Sequence, residues 1–89
     1  MKSHSTKRFR QAFEQLPPQP QRQARQAYRL FQQNPYHPSL RFKQVHATKP
    51  IYSVRAGLGY RALGVRDNDD IIWFWIGSHA DYDKLISRL

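Results

Sequence analysis

Eighty-nine residues, 39% hydrophobic and 13% aromatic, are enough for one domain over residues 1–89 with a modest core, and too apolar for a disordered tail. The absence of cysteine excludes disulfides and thiolate chemistry and suits a cytoplasmic protein; the longest apolar run, residues 71–76, is too short to span a membrane, and no apolar stretch follows the N-terminal basic residues as a secretion signal requires. Fifteen Lys+Arg against six Asp+Glu give a formal charge of +9, more than the magnitude of ~2–8 that solubility needs.

That charge is unevenly placed. Residues 1–66 hold thirteen bases and one acid, Glu14, whereas residues 67–89 hold two bases and five acids. An excess of this kind steers a compact domain towards polyanions, either nucleic acid or an acidic protein.

Ser5 or Thr6 can cap a first helix, on which Phe9, Phe13 and Leu16 share one face before Pro17 and Pro18 stop it. A second helix starts near Pro20 with an apolar stripe of Ala24, Ala27, Tyr28 and Phe31, and ends at Asn34-Pro35. Residues 40–45 alternate loosely, as an irregular strand or an extended arm. Residues 51–55 and 60–66 are β-like runs separated by a turn with two glycines, and Asp67-Asn68-Asp69-Asp70 makes a second turn. Residues 71–76 are apolar throughout, hence a strand covered on both faces, and residues 79–89 carry Tyr82, Leu85, Ile86 and Leu89 at helical spacing. The pattern predicts an α+β domain: two N-terminal helices packed on an antiparallel sheet of three to four strands, with a short C-terminal helix.

Thr6-x-x-Phe9 with Leu16-Pro17, then Tyr52-Ser53-Val54-Arg55, then Gly59-Tyr60-Arg61, then Trp75-Ile76-Gly77-Ser78-His79 with Tyr82 resembles, over nearly the whole chain, the RelE/ParE superfamily of toxins from type II toxin–antitoxin systems, a class tied to plasmid stabilisation. The resemblance implies an antiparallel sheet with two N-terminal helices on one face, usually opened by an N-terminal strand; only residues 1–4 are available here, so that strand should be very short or absent. It also implies an acidic antitoxin partner, no cofactor, and one of two activities. RelE-like members are metal-independent endoribonucleases that inhibit translation, often by cutting mRNA on the ribosome; ParE-like members poison DNA gyrase without catalysis. The RelE-like branch is favoured, and a degenerate toxin that only binds its partners is a third reading.

Cutting RNA without a metal needs a base for the 2′-hydroxyl, an acid for the departing 5′-oxygen, and cations for the charge gathering on phosphate. On the resemblance, Arg61 corresponds to the phosphate-contacting arginine, with a stem-buried structural arginine as the competing reading. Arg55 alternates with Ser53 on the preceding strand; ribonuclease relatives often carry bases at both positions, so Ser53 is a departure. His79 stands where relatives place a histidine or arginine as general acid or charge stabiliser, and imidazole can either donate or accept a proton near neutrality. Tyr82, one turn on, would stack a base, orient the phosphate, or pack in the core. The assigned site is therefore Arg61, His79 and Tyr82 for catalysis, with Arg55, Arg41 and Lys43 for substrate binding.

Arg41 and Lys43 come from residues 34–43, where aromatics and bases interleave as on a single-strand binding surface, or as in a stiff connector. Arg22, Arg25 and Arg29 face solvent or ribosomal RNA; Trp73 and Trp75 read as core or sheet cover. His4, His37, His46 and His79 lack ligand-like spacing, so no metal site is expected, and no phosphate loop or nucleophile elbow is present.

Overall fold

The computed structural model describes residues 1–89. In chain order the elements are β1 (Lys2–Ser5), α1 (Lys7–Glu14), α2 (Pro18–Gln33), a 3-10 turn (Pro38–Leu40), β2 (Lys43–Gln44), β3 (Ile51–Gly57), β4 (Tyr60–Asp67), β5 (Asp70–Ser78) and α3 (His79–Ile86). The strands form one sheet in the order β1-β5-β4-β3-β2. The α+β class holds, but the sheet has five strands and is mixed, not an antiparallel sheet of three to four. The extra edge is β1, four residues long, which pairs in parallel with β5 so that Lys2 lies opposite Asp70 and Ser5 opposite Trp73. Lys-Ser-His-Ser has no strand propensity of its own. Main-chain bonds hold it instead, bracketed by Lys2 N–H donating to Asp69 O and Thr6 N–H to Trp73 O, both at 3.0 Å. They satisfy the β5 edge that would otherwise be open.

Of the two candidate caps, Thr6 serves: its hydroxyl oxygen accepts from Phe9 N–H at 3.1 Å. Thr6→Ala should lower stability by about 1 kcal/mol, visible as a reduced midpoint in thermal unfolding followed by circular dichroism. At the other end of α1, Gln21 Nε2 reaches back to the carbonyls of Phe13, Glu14 and Leu16 at 3.3, 3.3 and 3.0 Å. One side chain thus satisfies carbonyls that a helix end leaves open. Within α2, Ala24 and Phe31 are buried, while Tyr28 is 41% exposed and leaves the predicted stripe.

The two helices cover one sheet face, α1 over β5 and α2 over β3, around Phe31, Val54, Ala62, Ile71, Trp73 and Ile76. The opposite face carries a smaller cluster of Ile51, Leu63 and Tyr82, covered by α3 with Leu85 and Ile86 at its margin. A bulge sets the division. The β4–β5 register passes from Leu63 opposite Trp75 to Gly64 opposite Trp73, leaving Phe74 unopposed. Trp73 consequently packs with the helical hairpin and Trp75 with α3. No helix is long and apolar enough to cross a membrane.

Candidate functional site

The α3-covered face carries the predicted site. Successive strands place Lys43 opposite Ser53, Ser53 opposite Leu63, and Leu63 opposite Trp75. One row on, Arg55 lies opposite Arg61, and Arg61 opposite Gly77. Residues directly opposite one another project to the same side, so the two arginines stand side by side in the sheet. Gly77 is required there: a Cβ at this position would lie 2.6 Å from Trp75 Cζ2, so the indole lies across the glycine, next to Arg61 in the sheet.

Like charges opposite each other raise the free energy of the sheet, and no carboxylate in the chain forms an ion pair with either. The two ion pairs present are His4 with Asp70 and His79 with Asp83; none of the fifteen Lys+Arg has a carboxylate within bonding reach. Partial burial, and then the neighbouring Arg55, hold the Arg61 guanidinium below the usual arginine range. Arg41 adds to that repulsion, while Tyr82 and Asp83 oppose it. Arg61 Nη1 donates to the Tyr60 carbonyl at 2.9 Å, which fixes the head of the side chain. Arg41 reaches the group from the residue after the 3-10 turn, in a left-handed conformation with φ 49°. Lys43 is one row away on the exposed edge strand. Ser53 is buried at 2% exposure, so where relatives carry a base this chain has a small residue in the sheet floor.

His79 is the first residue of α3, and its backbone N–H donates to Gly59 O at 2.8 Å, tying the helix start to the β3–β4 turn. Ser78 caps the helix by accepting from Asp81 N–H at 3.2 Å. The His79 ring is half exposed and lies 5.8 Å from the Tyr82 ring, centroid to centroid. Tyr82 itself is only 9% exposed and packs against Ile51 and Leu63, so it offers no free face for stacking a base. Asp83, absent from the sequence-derived set, belongs to this site as well: its Oδ2 lies 3.1 Å from His79 Nδ1. The i,i+4 spacing of His79 and Asp83 was the available signal.

Residues 34–43 divide between the two sides. Arg41 joins the arginine group, while Phe42 stacks on Tyr52 at 5.0 Å and meets Phe31 edge-on at 5.1 Å. Arg66 completes that cluster, its guanidinium 5.4 Å from the centre of the Tyr52 ring and its Nε donating to Asn68 O at 3.2 Å, and the nearby Tyr36 and Tyr52 hydroxyls hold it above the usual range. The aromatics of this segment thus serve mainly as a stiff connector. Arg25 does not simply face solvent, since its guanidinium lies 5.0 Å from the centre of the Phe13 ring.

Residues 18–84 match the family described as ParE-like toxin domain. The chain belongs to that family. It is accordingly a toxin domain of the RelE/ParE superfamily, and the match takes in every residue of the assigned site. No curated protein sequence matches the chain. Among solved structures, it is similar to the RelB–RelE antitoxin–toxin complex from Methanococcus jannaschii at 16% identity and a TM-score of 0.72, covering 92% of this chain and 96% of the other. The RelBE2 toxin–antitoxin complex from Mycobacterium tuberculosis matches at 17% identity and a TM-score of 0.70, covering 88% and 96%. A copper-bound mutant toxin from Helicobacter pylori matches at 16% identity and a TM-score of 0.61, covering 91% and 97%. At these identities the likeness is one of fold.

Proposed function

We propose that this ParE-like domain is the toxin of a type II toxin–antitoxin system and acts as a metal-independent endoribonuclease on mRNA at the ribosome, in the cytoplasm. The observation that carries the reading is the unneutralised group of Arg41, Arg55 and Arg61, with His79 and Tyr82 at the same end of one sheet face. Arg55 and Arg61 hold the scissile phosphate, each fork able to meet two oxygens and to take up the charge that grows as the 2′-oxygen attacks. Arg41 and Lys43 extend the contact along the backbone. His79 handles a proton and Tyr82 steadies the phosphate through Arg61. An acidic antitoxin fits the same excess of positive charge, and two of the structural neighbours are toxins in complex with antitoxins.

Purified chain incubated with translating ribosomes should cleave mRNA, and His79→Ala should slow cleavage by roughly 10²–10⁴-fold. No cleavage by the wild-type chain, together with undiminished toxicity of His79→Ala in cells, would sink the reading. The buried Ser53, where ribonuclease relatives carry a base, favours one alternative: a non-catalytic inhibitor of DNA gyrase. Accumulation of gyrase–DNA breaks on induction would support it, whereas induction without growth arrest would point to a degenerate toxin.

A further inference from the structure

The chain has six acids, and Asp83 is the one whose charge acts on Arg61. A carboxylate close enough to Arg61 to favour its charge works against phosphate binding, so affinity for RNA gives it no purpose there. Its contact with His79 does. Asp83 Oδ2 lies 3.1 Å from His79 Nδ1, one helical turn along α3. The backbone at His79 is already fixed by Gly59 O, and the helix start by Ser78, so the remaining freedom is the rotation and tautomer of the ring.

We propose that Asp83 is a positioning residue for the ribonuclease reaction: it engages Nδ1 of His79 and leaves Nε2 as the nitrogen that removes the 2′-hydroxyl proton. The proposal rests on the ribonuclease reading. A neutral imidazole carries one N–H, and an ionised carboxylate can only accept. The contact therefore selects the tautomer with hydrogen on Nδ1 and the lone pair on Nε2. In the reaction the 2′-hydroxyl proton passes to Nε2, the O2′–P bond forms and the P–O5′ bond breaks. The 5′-oxygen takes a proton from water, and the hydroxide so formed recovers the proton from the imidazolium. The products are a 2′,3′-cyclic phosphate and a 5′-hydroxyl.

A helix-stabilising contact and a positioning contact differ in what they change. Asp83→Ala removes a negative charge beside Arg61, so a non-cleavable single-stranded RNA should bind at least as tightly as to wild type. Cleavage at saturating RNA should nevertheless fall about 10- to 100-fold, and Asp83→Asn, which keeps an acceptor oxygen, should restore most of it. Long-range ¹H–¹⁵N spectra of neutral His79 should show hydrogen on Nδ1 in the wild type and a shift towards Nε2–H in Asp83→Ala. Hydrogen on Nε2 in the wild type, an unchanged cleavage rate, or equal losses in binding and rate would overturn the role. If the wild-type chain cleaves but Asp83→Ala matches it, only the positioning role fails. If the wild-type chain cleaves nothing, the ribonuclease reading fails and takes this role with it, whatever the tautomer.

Discussion

Arg61→Met should lower RNA cleavage by roughly 10²–10³-fold and at the same time make the fold harder to melt. The first effect follows from removing the central member of the arginine group, opposite Arg55 in the sheet. The second follows from the direction in which Arg61 is displaced. Burial and Arg55 disfavour its charged form in the folded protein, so its folded pKa lies below the unfolded one. For a base displaced downwards, the penalty is fully present below the folded value and disappears only above the unfolded one. At neutral pH the charge therefore costs stability. Two like charges directly opposite in a sheet cost roughly 0.2–1 kcal/mol, and for a domain of this size 1 kcal/mol moves the melting midpoint by about 4–8 °C. Methionine keeps an unbranched stem, so a rise of a few degrees is the expected result in thermal unfolding. Arg61→Lys keeps the charge, loses the fork, and should give partial activity with no gain in midpoint. A lower midpoint for Arg61→Met, or retained cleavage, would show that the side chain is held for packing.

Trp73→Ala should leave the chain only marginally folded. Trp73 is 4% exposed and meets Phe31 edge-on at 5.4 Å, and Gly64 leaves it space: a Cβ there would come within 2.8 Å of Trp73 Cε3. Deleting a buried aromatic of this size costs about 3–5 kcal/mol, against a total of roughly 5–15 kcal/mol for an ordinary domain. In a chain this short the loss takes up most of the margin. Trp73→Phe should cost well under half as much, because the buried Nε1–H has no hydrogen-bond partner and its removal leaves nothing unsatisfied. Urea unfolding by tryptophan-independent circular dichroism measures both variants. Equal losses would mean that Nε1 is satisfied after all, through water or a bound partner.

Which parts of this structure were legible follows from where the information lies. Proline fixes backbone angles locally, so Pro17 and Pro35 lie just beyond the ends of the two helices, whereas Pro18, read as a stop, is the first residue of α2, two residues before the expected start at Pro20. Alternation set Arg55 on the same side of its strand as Ser53, but the pairing of β3 with β4 is what brings Arg55, Arg61 and Leu63 to one face. The edge strand β1 was undervalued because its stability comes from main-chain pairing with residues far along the chain, which Lys-Ser-His-Ser does not advertise. Trp73 and Trp75, two apart, ought to share a face; the unopposed Phe74 between them rotates the strand and sends them to opposite sides. Asp83 was not singled out, because its place in the site depends on a ring four residues earlier and an arginine on another strand. Of the roles Tyr82 offered in sequence, its burial removes base stacking.

The parallel pairing of β1 with β5 also bears on when the protein becomes active. Residue 2 cannot find its partner at residue 70 until the intervening elements have been synthesised, and β5 and α3 both lie within residues 70–86. Contacts so distant in sequence form late, because the intervening loop must be closed before any pairing compensates for it. Arg55 and Arg61 are made before the strand that backs them and before the helix bearing His79. A nascent copy is thus a basic, unassembled polypeptide without the complete site.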